Sequence, residues 1–431
     1  MRTTRLNGLL ALCLVLLTTG LFAQRIPAGD VDFADQLGND VAISGNYAIA
    51  GAYYDDNQRR NANQRAGAAY IYENVGGNWN QMIKITATER RKSAWFGHSV
   101  DISGNWAIVG APNEKEDAND GGRPITKAGA AYMYRLVGNQ WVFFQKIVSP
   151  DRSNSDNFGW DVAVNGRYVL VSATGEDEDA NGVHMNNAGA VYVFRLVGNA
   201  WTMVSKLVAP DRTPNQTFGR SIEVDVNGRI IVGTDREKRD IAGLSPFTNC
   251  GAAYIYEETS ANSNNWTVGQ KLVHQPVTER GTERYFGYSV AIDGDIAVVG
   301  AYLQPTGGVK KGAVYIYVRI GGFWQAMRNG RITMNDAVNA DKFGYSVDLS
   351  GSNLVVGCPW YDRGGRNGGA AFVYNINPPL DRVTLTNTFL AANGSESMGW
   401  SVGMDGGQVI AGAYSATVNN IRSAGVVYFF R

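Results

Sequence analysis

The sequence predicts an all-β fold: a seven-bladed β-propeller with four antiparallel strands per blade, closed by the N-terminal strand completing the last blade. Three observations carry that prediction. A Phe-Gly pair, or a close substitute, returns seven times along the 431 residues. Each return opens the same order of short apolar segments and tight turns. The last unit lacks one segment, and the start of the chain supplies it. Composition agrees: 44% hydrophobic and 18% charged residues describe a packed globular chain, and 52 Gly against 12 Pro suits many tight turns.

The pairs stand at Leu37-Gly38, Phe96-Gly97, Phe158-Gly159, Phe218-Gly219, Phe286-Gly287, Phe343-Gly344 and Met398-Gly399, with their glycines 59, 62, 60, 68, 57 and 55 residues apart. The fifth unit shows the internal order most clearly. Tyr288 to Ile292 is a strand, Asp293-Gly294 a two-residue hairpin turn, and Ile296 to Gly300 the returning strand. After a loop, Gly312 to Tyr317 forms a third strand with aromatics on alternate positions, and Phe323-Trp324 opens a fourth ending near Ile332. The turn recurs as Gly45-Asn46, Gly104-Asn105, Gly166-Arg167 and Gly228-Arg229. A lone sheet of this length cannot bury both of its apolar faces, whereas blade packed on blade buries both. Small Gly-Ala pairs suit the crowded region near the axis. Trp79, Trp141, Trp201, Trp266 and Trp324 recur at the start of the fourth strand and read as blade packing.

The final unit stops at Arg431, after its third strand, while Gln24-Arg25-Ile26 stands ahead of Leu37-Gly38 as Gln145-Lys146-Ile147 stands ahead of Phe158-Gly159. The N-terminal segment is therefore expected to latch the ring and remove its open edge. Residues 1–23 read as a cleaved signal peptide, leaving residues 24–431 as a single propeller. Arg2 and Arg5 precede the unbroken apolar run Leu9–Leu17, and Leu21-Phe22-Ala23 precedes Gln24 as the new N-terminus. That run of nine residues falls well short of the roughly 20 needed to span a bilayer. A secreted or cell-surface location follows as an expectation, with no transmembrane segment in the mature chain. Of the two cysteines it keeps, Cys250 and Cys358 fall in non-adjacent units, so two buried free thiols are expected rather than one disulfide.

Phe-Gly-x-Ser-Val, a hairpin, Val-Gly-Ala-Pro or Val-Gly-Ala-Tyr, then Gly-Ala-x-Tyr-x-Tyr resembles the FG-GAP repeat of integrin α-subunit propellers and their bacterial secreted relatives. Phe96-Gly97 with Gly110-Ala111-Pro112 carries both halves of the motif. The resemblance implies a ligand-binding face that holds the Phe-Gly turns and the long loops. It also implies calcium loops between the first two strands of a blade. Here that connection is a tight turn, which cannot wrap an ion taking six to eight oxygens, so those calcium sites are not carried over.

Candidate binding residues follow each Phe-Gly directly: Asn39, then His98, Trp160, Arg220, Tyr288, Tyr345 and Trp400. They start the innermost strands and should ring one mouth of the central channel. Packing alone favours bulk there, so the ring reads first as a plug. Its second reading is a platform on which a sugar ring or a peptide side chain stacks. Between the Gly-Ala pair and the third strand the loops run 14, 17, 15, 16, 10, 10 and 11 residues, longer in units one to four. In the third, Asp177, Asp179 and Asn181 match the opening of a calcium loop, but Ala188 stands at the twelfth position where Glu is needed. A solvated acidic turn is the alternative.

Lys+Arg and Asp+Glu balance at 39 each, which removes the basic field that nucleic-acid binding needs. His98, His184 and His274 are the three histidines, and no nucleophile elbow, zinc-protease or phosphate-loop motif occurs. The expectation is a non-enzymatic binding or adhesion module for an extracellular protein or matrix ligand, acting as a monomer. The alternatives are a glycan-binding lectin and a carbohydrate-active enzyme using loop carboxylates.

Overall fold

The computed structural model describes residues 23–56, 65–119, 122–239, 249–260, 263–274, 284–334, 340–363 and 365–431. Seven four-stranded antiparallel sheets stand in a ring, each built in simple meander order except the last. The first blade consists of Val41–Ser44, Tyr47–Ala52, Ala68–Val75 and Asn78–Ile85, counted outward from the axis. Ser401–Asp405, Gln408–Ala413 and Val426–Phe430 form the seventh, whose outermost strand is Ala23–Ile26. The remainder of the signal-peptide reading lies outside the described residues.

The latch has a definite register, with Ala23 opposite Phe430 and Ile26 opposite Val427. Side chains fasten it to both neighbours. Trp79 N–H of the first blade donates to Gln24 Oε1 at 2.7 Å, and Arg25 Nη2 donates to the buried Glu396 carboxylate at 2.8 Å. Gln145 grips the Trp201 backbone, and Gln270 that of Trp324, in the same way. The latch thus reuses a contact repeated elsewhere in the ring.

The core lies between blades rather than within them. Ile49 and Ile71 of the first blade pack with Val100 and Val109 of the second, and the other interfaces repeat this. The five recurrent tryptophans are all buried. Glycine is required where one blade's backbone meets the next: a Cβ on Gly51 would sit 2.0 Å from Gly97 O, and one on Gly97 2.1 Å from Ala68 O. The crowding expected near the axis is therefore the neighbouring blade's backbone, which is why Phe-Gly and Gly-Ala recur together.

Three hairpin readings need correction. In the fifth blade Asp293 pairs with Ile296, so the turn is Gly294-Asp295 and not Asp293-Gly294. In the third and fourth blades the connection is wider, between Val164 and Val169 and between Val224 and Ile230. Side chains hold these wider turns. Asn165 Oδ1 accepts from the N–H groups of Arg167 and Tyr168, and Asp225 Oδ1 from those of Asn227 and Arg229.

Each innermost strand faces the axis with an edge that no further strand covers, yet its N–H groups need acceptors. Channel-lining side chains supply them across blade boundaries. Asp40 accepts from Val100 N–H at 2.8 Å, Asp101 from Val164 at 2.6 Å, Asp161 from Ile222 at 2.7 Å, Glu223 from Ile292 at 3.0 Å and Asp348 from Met404 at 2.6 Å. Burial, opposed by those hydrogen bonds, pushes Asp101, Asp161 and Asp348 up to about 7 and holds Asp40 and Glu223 well above the ordinary carboxylate range.

Candidate functional site

All seven residues that follow the Phe-Gly pairs line one cavity, of about 310 Å³, at one mouth of the channel. The repeat puts them there: each opens an innermost strand, and all innermost strands start at the same face. His98, Trp160, Arg220, Tyr288 and Trp400 are half-buried and Tyr345 is buried. The ring lines the mouth without closing it.

The rings form two arcs. Tyr288, Tyr345 and Trp400 form a run of tilted rings, with centroids 4.9 and 4.5 Å apart, and Tyr288 OH donates to Tyr345 OH at 2.7 Å. On the other side His98 lies 4.7 Å from Trp160 and its Nδ1 is 3.0 Å from Trp160 O. Burial, with Arg220 nearby, pulls His98 down to about 4, so it is neutral at physiological pH. Arg220 sits between the arcs, 4.1 Å over Tyr288 and 5.3 Å over Trp160. Its burial works against the charge, but Tyr288 and Asp235 outweigh it and hold the guanidinium above its ordinary range.

Two further tiers belong to the same mouth. In four blades the residue after the Gly-Ala pair, or after Gly-Thr in the fourth, stands beside the first ring: Tyr302 lies 4.5 Å from Tyr288, Tyr414 4.3 Å from Trp400 and Tyr53 5.7 Å from His98, while Asp235 comes within 3.9 Å of Arg220. The residue before each Phe-Gly is left-handed in every blade, at φ 59 for Gln36, 61 for Trp95, 57 for Asn157, 59 for Thr217, 55 for Tyr285, 62 for Lys342 and 55 for Ser397. Bulky side chains rarely adopt that backbone. It aims Trp95 onto His98, Tyr285 onto Tyr302 and Lys342 onto Trp360, the last at 3.5 Å. A second cavity of about 330 Å³, bounded by Thr217, Asp235, Tyr285 and Tyr302, adjoins the first through Trp160, Arg220 and Tyr288. Sequence reasoning found the first ring and missed these tiers. The signal for the second was available, because its residues hold one fixed place in the repeat.

The third-unit loop has a different chemistry. Asp179 Oδ1 accepts from Asn181 and Val183 N–H at 2.8 and 2.9 Å, and Asp177 Oδ1 from Asn187 N–H at 2.6 Å. Arg212 donates to Asp177 O and Val183 O at 2.7 Å each and comes within 3.7 Å of Asp179. As arranged, the loop turns its carboxylates onto its own backbone and brings a cation to Asp179. No cluster of three or more metal-binding side chains occurs among the described residues. Cys250 and Cys358 are buried thiols outside any disulfide, with Sγ donating to Glu237 O and Asp341 O respectively. No helix among the described residues is long and apolar enough to cross a membrane.

Comparison with known proteins agrees with this geometry. No curated protein matches the chain. Among solved structures, the crystal structure of the RRP9 WD40 repeats is similar in fold, with TM-score 0.53 and 8% identity, covering 95% of this chain and 97% of that one. The FG-GAP repeat matches residues 22–72, 79–134, 141–194, 201–256, 266–317 and 327–374, well over half of the chain. Each match starts in or beside an outermost strand and ends in the third strand of the next blade, the same offset by which Ala23–Ile26 closes the ring. The chain therefore belongs to the FG-GAP repeat family.

Proposed function

We propose that this propeller is an exported binding module that docks a surface or matrix ligand at the mouth carrying the Phe-Gly turns. One observation carries the reading: the residues that follow the Phe-Gly pairs converge on a lined but open cavity, most of their rings are half-buried, and Arg220 is held between aromatic faces. Rigid blades position these side chains and the adjoining loops, the usual arrangement for recognition on a scaffold. Export rests on the leader-like residues 1–23, and action as a monomer on the ring closing upon itself.

The lectin alternative draws support from the half-buried faces of Trp160 and Trp400, since a saccharide ring stacks on such surfaces. For the enzyme alternative a carboxylate pair facing the mouth is needed. Its deep acids, Asp40 and Asp161, instead accept backbone N–H groups.

Residues 24–431 immobilised against panels of matrix proteins and glycans test the reading. Saturable binding is expected to at least one member, weakened about tenfold or more in Trp160→Ala/Trp400→Ala. A ligand bound equally well by that variant would move the docking site away from the mouth.

A further inference from the structure

The second cavity is a gap in a crowded tier. At the position where blades one, five and seven carry Tyr53, Tyr302 and Tyr414, blades three and four carry the smaller Thr174 and Asp235. A space of about 330 Å³ opens there, lined by Thr174 and Asp235 together with Trp160, Thr217, Arg220 and three tyrosines. That volume falls within the range of small-ligand sites, about 300–1,000 Å³.

Its lining offers an aromatic wall and a polar pair. Tyr285 and Tyr302 stack with centroids 5.3 Å apart, Tyr288 lies 4.5 Å from Tyr302, and all three rings are half-buried. Arg220 Nε and Asp235 Oδ2 stand 3.9 Å apart, too far for a hydrogen bond between them. Thr217 Oγ1 donates to Asp235 Oδ1 at 2.8 Å and so fixes the buried carboxylate. Asp235 Oδ2 accepts no hydrogen bond among the described residues. A donor and an acceptor therefore lie side by side at one cavity, and a guanidinium has N–H groups to spare.

The charge there is mixed. Arg220 and Arg236 line the cavity with Asp235, so a bound cation would meet two guanidinium groups and a bound anion a carboxylate. A neutral ligand that both donates and accepts suits such a lining. Neighbouring hydroxyls do this: one accepts from Arg220 while the next donates to Asp235, each in a charge-assisted hydrogen bond.

We propose that the second cavity is a sugar subsite of the mouth, taking a neutral pyranose. Its vicinal hydroxyls reach Arg220 and Asp235, and its apolar ring face lies against Tyr285 and Tyr302. This rests on the mouth being the docking site. A sugar carries the hydroxyl pair and the apolar face on one residue, whereas a neutral amide side chain offers only the donor and acceptor.

The test is calorimetric titration of residues 24–431 with the methyl glycosides of glucose, galactose, mannose and fucose, with galacturonate and with N-acetylglutaminamide. At least one neutral glycoside is expected to bind, with little dependence on salt. Galacturonate and the amide should be about tenfold weaker or worse. Thr174→Tyr places in the gap the ring that other blades carry and should abolish sugar binding. Asp235→Asn turns the unused acceptor into a donor and should cost about tenfold or more. Circular dichroism unchanged in either variant guards against a folding defect in the other. The assignment is overturned if no neutral glycoside binds, if galacturonate or the amide binds as tightly, or if both variants keep full affinity. Should a matrix protein then bind with dependence on Trp160 and Trp400, the docking reading stands without the sugar subsite. Sugar binding unchanged in these two variants and in Trp160→Ala/Trp400→Ala would overturn the two together.

Discussion

The two ends of the channel are built by the same seven strands and have opposite chemistry. At the Phe-Gly mouth the strands begin with rings and a guanidinium. Toward the far end they carry Glu223, Asp225, Asp293, Asp348 and Asp405. What separates the ends is commitment. Far-end carboxylates cap backbone N–H groups, as Asp293 does for Gly351 and Asp405 for Gly45, both at 2.6 Å. Mouth side chains mostly touch one another, and few of them join the blade-stitching bonds, as Asn39 does to His98 O and His98 to Trp160 O. Polar groups fully used in holding the ring are poor candidates for recognition, whereas half-buried rings are available for it.

The sharpest way to break this comparison is to remove a stitching acid. Asp161 accepts from Ile222 and Val162 N–H, so Asp161→Ala strands two donors and should cost about 3 kcal/mol in chemical denaturation. Asp161→Asn keeps one acceptor and sheds a disfavoured charge, and should cost about 1 kcal/mol. Equal losses from the two variants would show that the hydrogen bonds are not what the acid contributes.

Acidity offers a second test. Asp101, Asp161 and Asp348 are pushed up to about 7 in the folded chain, against about 4 when unfolded. The folded state therefore binds more protons between those values. The stability linked to them is full below about pH 4, is lost as pH rises through about 7, and is flat above. The melting temperature should fall by a few degrees between about pH 5 and pH 8, and less steeply in Asp101→Asn/Asp161→Asn/Asp348→Asn. A rise over that range would contradict the assignment.

At the mouth the balance should reverse. Arg220→Gln removes a cation held by ring faces and a long ion pair, so its stability should change by no more than about 1 kcal/mol. A larger loss in denaturant titration would make Arg220 a structural residue. The smallest effect concerns calcium. With Asp177 and Asp179 engaged by backbone and Arg212 beside them, millimolar calcium should move the melting temperature by less than about 1 °C. A rise of several degrees, absent from Asp177→Ala/Asp179→Ala, would establish a metal site in that loop.

Much of the fold was legible because a repeat states its own rule seven times. The Phe-Gly spacing predicts the blades, and the unpaired third strand at Arg431 predicts the latch. Hairpin details were less legible: a Gly at the expected place reads as a two-residue turn, while Asn165 and Asp225 hold wider ones through side-chain bonds. The first ring of the mouth was legible through its fixed place after Phe-Gly. Lys342 was not, since it resembles any surface lysine until the left-handed backbone turns it onto Trp360.

By itself the sequence determined the number of blades, the strand order, the closing segment and which residues start the innermost strands. These follow from local periodicity and turn chemistry, which act over a few residues. Tertiary structure alone decided which groups were already spoken for. Asp161 and Arg220 are both charged residues on innermost strands of neighbouring blades, yet one is bonded to the next blade's backbone and the other stands between two rings. Only the positions of the adjacent blades separate them, because hydrogen bonds and ring contacts form between segments some 60 residues apart.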